Sequence, residues 1–151
     1  MNSITTNEKI NIFMSIPEEN PNIQFLRNKL LSLGIKIIDN TSFNVDIDHN
    51  RYEVSFIIKK LISITEFIFI CISKKINKSY FQILELNEII MKKDFNKEEK
   101  IIYLYLEKEC NPISQPHYYN SISKNENKIC LPLYDYISTS ETIEKIINFI
   151  V

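Results

Sequence analysis

Short runs of isoleucine, leucine and phenylalanine recur along the chain, each closed by polar residues or proline. The runs Ile10–Ile16, Ile35–Ile38, Thr65–Ile72, Ile101–Leu106 and Ile129–Tyr134 are nearly continuous rather than alternating. Runs of that length and evenness predict strands covered on both faces, as in a parallel sheet. Between them apolar residues return every third or fourth position: Ile23, Leu26, Leu30 and Leu33, then Val54, Ile57, Ile58, Leu61 and Ile62, and finally Ile143, Ile146, Ile147 and Ile150. Each set lays one buried stripe along a helix. A further helix is predicted from Ser79 through Ile89-Ile90 to Lys92-Lys93, cations suited to its C-terminus. Strands alternating with helices imply an α/β, flavodoxin-like fold: a five-stranded parallel sheet with helices on both faces. Pro132 cannot donate to a ladder and places the fifth strand at an edge.

The punctuation agrees with this order. Asn20 stands as the N-cap of the first helix, Pro21 at its first position and Gly34 just past its end. Gly34 is the only glycine in the protein, and a left-handed position after the helix accounts for it. Ser79 and Gln82 have capping-box spacing, Ser79 accepting from the Gln82 N–H while the Gln82 side chain reaches back; Ser138 and Glu141 repeat the pattern before the last helix. The polar stretch from Asp39 to Asn50, holding Phe43, Val45 and Ile47, reads as a long loop, as does Cys110 to Asn127 with Pro112 and Pro116.

Composition narrows the function classes. With 151 residues, 44% hydrophobic and 25% charged, residues 1–151 fit a single domain with an ordinary core. A net charge of −1 offers no basic footprint for nucleic acid or an anionic membrane. No apolar run approaches the ~20 residues of a membrane span, and no secretory apolar segment opens the chain, so a cytoplasmic setting is expected. Cys71, Cys110 and Cys130 are scattered, and His49 and His117 lie far apart, so neither a disulfide framework nor a metal site is expected. One glycine cannot supply a dinucleotide or phosphate loop.

The chemistry concentrates around the third strand, its Ser73-Lys74-Lys75 loop and the Ser79 helix, because parallel sheets place ligands beyond the carboxyl ends of their strands. Phe81 and Glu85, four apart, share one helical face. Glu85 lies too deep in the helix to serve its dipole. Read by itself, a solvated Glu85 on a helix that also bears Glu88 is the commoner case. Glu18 and Glu19 read as solvated, and Tyr103 and Tyr105 as sheet faces. A response-regulator receiver is excluded: where that family has an aspartate after the third strand and a lysine after the fifth, this chain has Cys71-Ile72-Ser73 and Leu133-Tyr134-Asp135.

Ser79-x-Phe81-Gln82-x-x-Glu85-Leu86 resembles the third-helix motif of the TIR (Toll/interleukin-1 receptor) domain family, Ser-x-Trp-Cys-x-x-Glu-Leu, with Phe81 at the Trp position and Gln82 at the Cys position. Phe13-Met14-Ser15-Ile16 is similar to the family's box one, Phe-Ile-Ser-Tyr. Leu33-Gly34-Ile35-Lys36-Ile37 resembles its approach to the second strand, and Ile58 to Glu66 its second helix. The Pro-Gly of box two and the Phe-Trp of box three are missing and Ile16 replaces an aromatic, so the likeness is to divergent, prokaryotic-type members.

The resemblance implies a TIR-domain NAD hydrolase or cyclase that cleaves the nicotinamide–ribose bond, with Glu85 as the catalytic carboxylate and NAD as substrate rather than cofactor. Phe81 would pack against the nicotinamide side or wall the cleft. Ser15 and Ile16 would line the floor, and the 39–50 loop with Phe43 would cover the dinucleotide. It further implies self-assembly with other TIR protomers, an antiphage defence or signalling role, and a downstream effector that senses the product. Two rivals stand: a non-catalytic TIR interaction or scaffold module, and a nucleoside deoxyribosyltransferase-like enzyme, which also works with a glutamate at a ribose carbon.

Overall fold

The apolar runs form strands β1 (Ile10–Ser15), β2 (Ile35–Ile38), β3 (Phe67–Ile72), β4 (Ile101–Tyr105) and β5 (Ile129–Pro132). The helices are α1 (Pro21–Ser32), α2 (Arg51–Ser63) and, at the C-terminus, α3 (Tyr136–Ile150). The computed structural model describes residues 10–39, 51–74, 82, 85, 86, 88, 89, 101–110 and 129–150, with the side chains of α2 from Phe56 onward. Gln82, Glu85, Leu86, Glu88 and Ile89 are helical, as the sequence predicts. Phe43, Phe81, Ser79, the rest of the 39–50 loop after Asp39 and the stretch after Cys110 lie outside the described residues.

All five strands are parallel, in the order β2-β1-β3-β4-β5, the flavodoxin-like arrangement expected from the alternating pattern. β1 pairs with β2 from Ile10↔Ile35 to Phe13↔Ile38, and with β3 from Ile12↔Phe67 to Ser15↔Ile70. β5 is an edge strand, and Pro132 occupies its last rung, opposite Tyr105.

Side chains leave a strand on alternate faces, and that alternation divides the core. Ile12, Met14, Phe69, Cys71, Ile102 and Leu104 pack with Ile23, Leu26 and Leu30 of α1 and Ile143 and Ile146 of α3. Phe13, Ile68, Ile70, Ile72, Ile101 and Tyr103 pack on the other face with Ile58 and Ile62 of α2 and with Leu86 and Ile89. Phe25 of α1 stacks on Tyr136 of α3, the ring centroids 5.4 Å apart. No helix among the described residues is long and apolar enough to cross a membrane.

The first helix begins as its sequence dictates. Asn20 Oδ1 accepts from the Ile23 N–H at 2.8 Å, with Pro21 at the first helical position. The last helix departs from expectation. The Ser138–Glu141 box does not open α3; the start is set three residues earlier by Asp135, whose Oδ1 accepts from Ser138 N–H at 2.7 Å while its own N–H donates to Ser138 Oγ at 3.1 Å. An aspartate following Leu133-Tyr134 caps as soon as the chain leaves β5, which leaves Ser138 buried as the third helical residue and Glu141 exposed.

Gly34 has φ +82°, and a β-carbon there would meet no atom within 4 Å. The helix exit therefore asks for backbone freedom, not for space. Gly34→Ala is expected to lower stability by about 1 kcal/mol, with Gly34→Asn recovering part of the loss. Urea unfolding checks this; an unchanged midpoint for the alanine variant would show that the left-handed residue costs nothing.

Candidate functional site

β1 and β3 are the strands from which the chain turns outward in opposite directions, and such a switch point is where open parallel sheets hold ligands. Ser15 ends β1, and its β3 partner Ile70 precedes Cys71. Facing them is the helical segment with Gln82 and Glu85, three positions apart and so on neighbouring turns of one face. Ser15 is fully buried, and its Oγ donates to Glu85 Oε1 at 2.9 Å. Gln82, also fully buried, donates from Nε2 to the carbonyl oxygens of Cys71 at 2.8 Å and Ser15 at 3.3 Å. A primary amide carries two hydrogens, enough for one carbonyl on each strand.

Glu85 is 1% exposed, not the solvated residue that the bare sequence favoured. Burial raises the pKa of its carboxyl well above the usual range; the Ser15 hydroxyl opposes that shift, and the negative charge of Asp39 adds to it. Its second oxygen, Oε2, is buried with no hydrogen-bond partner among the described residues. Buried polar atoms are nearly always satisfied, so an orphan of this kind marks either strain or a group waiting for something to bind.

A second charged group flanks the first. Asp39, directly after β2, has a fully buried side chain and accepts from Arg27 Nη2 at 2.6 Å. Arg27 also clasps Glu19 with both terminal nitrogens, each at 3.1 Å. Partial burial pushes the Arg27 pKa down, but the bonds to Glu19 and Asp39 outweigh it and hold the guanidinium charged. Cys71 has its thiol under α1, where burial raises its pKa, so it offers no thiolate to the site.

Of the residues expected at the site, Glu85 and Ser15 are in direct contact. Ile16 is buried in the cluster beneath α1, on the opposite face from Leu86 and Ile89, because alternation along β1 turns it away from Ser15. Phe43 and Phe81 lie outside the described residues. Sequence reasoning missed three contributors. Gln82 reads as a helix cap and as the residue at the motif's Cys position, and Asp39 as the first residue of a polar loop. Arg27 carried no role at all. The signal for Asp39 was its place immediately after an apolar strand, at the ligand-facing edge of a parallel sheet.

The fold is similar to the crystal structure of a prokaryotic SEFIR domain, with a TM-score of 0.63, 16% sequence identity, and coverage of 93% of this chain and 97% of that one. At that identity the likeness establishes the fold, a flavodoxin-like arrangement of the TIR/SEFIR kind. No family model matches the chain, and no curated protein does.

Two outcomes follow from the charges. Arg27→Met strands the buried Asp39 carboxylate and is expected to cost about 3 kcal/mol, whereas Glu19→Gln, on the half-exposed side of the same guanidinium, is expected to cost less than about 1 kcal/mol. Equal losses in chemical denaturation would contradict that ranking. For Glu85, the folded protein holds its proton more tightly than the unfolded chain does. Stability therefore falls as pH rises from the ordinary glutamate value of about 4.3 up to the raised folded value. Glu85→Gln cannot ionise, so its stability relative to the wild type is expected to grow as pH rises from the ordinary glutamate value toward the raised folded one. Parallel stability curves for the two proteins would show that Glu85 titrates normally.

Proposed function

We propose that this protein cleaves the nicotinamide–ribose bond of NAD, with Glu85 as the carboxylate beside the ribose. The observation that carries the reading is a carboxyl group buried at the switch point, one oxygen held by Ser15 and the other without a partner among the described residues. Glycosidic cleavage needs such a group. As the bond from ribose C1′ to the pyridinium nitrogen breaks, its electron pair leaves with the nitrogen and nicotinamide departs neutral. Positive charge then passes to C1′ and the ring oxygen, where a carboxylate in a water-poor site stabilises it strongly. Water adding to C1′ and losing a proton gives ADP-ribose; a nucleophilic nitrogen of the adenine gives a cyclised isomer.

The raised pKa fits a cationic substrate. An unliganded buried carboxyl favours the protonated form, and a docking pyridinium favours the ionised one. Substrate binding thus prepares the charge that the transition state uses. The TIR/SEFIR-like fold and the Ser79-to-Leu86 motif support this reading, and by the same resemblance the protein belongs to an assembling TIR-type signalling system in prokaryotic defence. In that system other TIR protomers are its partners and an effector senses the product.

One observation favours a non-catalytic interaction module instead: the Glu85 carboxyl is shut from solvent and already bonded to Ser15. Incubation with NAD over a range of protein concentrations, with separation of products, distinguishes the two. The NAD reading expects nicotinamide release that rises with concentration as protomers assemble. It also expects Glu85→Gln to lose about 10²-fold or more in rate, about 2.7 kcal/mol of transition-state stabilisation, while still binding NAD. Wild-type turnover by folded Glu85→Gln would remove Glu85 from the chemistry, and no turnover by either protein would favour the module.

A further inference from the structure

Ser15 is held twice by the same helical segment. Its hydroxyl donates to Glu85 Oε1 at 2.9 Å, and its carbonyl accepts from Gln82 Nε2 at 3.3 Å. That nitrogen also donates to the Cys71 carbonyl at 2.8 Å, one residue past the last β1–β3 pair, Ser15↔Ile70. The side-chain amide therefore continues the hydrogen bonding between the two strands beyond the end of their register. All three side-chain contacts are buried, so none competes with bulk water.

We propose that Gln82 is a positioning residue. By tying the carbonyls of Ser15 and Cys71 to its own helix, it fixes the end of β1 so that the Ser15 hydroxyl meets the Glu85 carboxyl, and in this way it sets the ionisation of Glu85. A merely packed residue at this position would need no donors. An amide with two hydrogens serves two strand ends at once, and Glu85 follows one turn later on the same face. Ser15 is the intermediary: it opposes the upward pull of burial by hydrogen bonding to the ionised form. In this scheme Gln82 acts on Glu85 through Ser15. The consequence for turnover rests on the NAD reading above; the consequence for the Glu85 carboxyl does not.

The test is a direct titration of the Glu85 side chain by carbon-13 NMR in the full chain labelled at the glutamate carboxyl carbon, its resonance identified by loss in Glu85→Gln. Ser15→Ala is expected to raise the Glu85 midpoint, because the donor to the ionised form is gone. Gln82→Met, of similar length without donors, is expected to raise it in the same direction. The Ser15→Ala/Gln82→Met double variant is expected to shift no further than Ser15→Ala, since contributions acting through one residue do not add. Gln82→Asn, one methylene shorter and unable to span both carbonyls, makes the same comparison if the methionine variant does not fold. An unmoved midpoint in a folded Gln82 variant, or full additivity with Ser15→Ala, overturns the proposal. Failure of both Gln82 variants to fold does so too, by showing a purely structural role. With NAD, the acid limb of kcat/KM is expected to move with the NMR midpoint. NAD cleavage with an unmoved midpoint would sink the Gln82 proposal alone, and a moved midpoint without NAD cleavage would sink the NAD reading alone.

Discussion

A carboxyl group in an apolar interior is the constraint around which the rest of this structure is arranged. Taking an ionised carboxylate out of water is costly enough that the group prefers to hold its proton. Here one hydroxyl, from Ser15, offsets part of that cost, while the charge of Asp39 adds to it. The position of that hydroxyl depends on strand alternation: Ser15 points to the face of the sheet that carries Gln82 and Glu85, and Ile16 points away into the core under α1. A one-residue slip of β1 would exchange the two and put an isoleucine against the glutamate.

The neighbouring charges are arranged in tiers of burial. Arg27 lies between a buried carboxylate, Asp39, and a half-exposed one, Glu19, and is paired with both. Asp39, in turn, sits where β2 ends, beside the carboxyl end of β1. Among the described residues, two buried carboxyl groups, Glu85 and Asp39, therefore flank the switch point.

Much of the fold was legible because each element has its own punctuation. The unbroken apolar runs gave parallel strands, Asn20 and Pro21 gave the start of α1, and Gly34 gave its end. Pro132 marked the edge strand. The α3 cap was misplaced because two overlapping Ser/Asp patterns compete there, and local spacing does not say which residue leaves the sheet first. At the site, Glu85 and Ser15 were legible only through motif resemblance, since a glutamate on a helix looks the same in sequence whether solvated or buried. Gln82 was hidden by a second plausible role as a cap. Arg27 and Asp39 were hidden because they are 12 residues apart and meet only when α1 folds back on β2.

The account stands on Glu85 giving up its proton when a cationic nicotinamide ribose docks. A carbocyclic NAD analogue keeps the pyridinium charge but lacks the ring oxygen that stabilises the cleavage cation, so under the proposed function it would bind without being consumed. Calorimetric titration of the protein with this analogue at a pH below the Glu85 midpoint found by NMR, in two buffers of different ionisation enthalpy, measures protons exchanged on binding. The account predicts proton release by the wild type and none by Glu85→Gln. Binding without proton release, or equal release by both proteins, would contradict it.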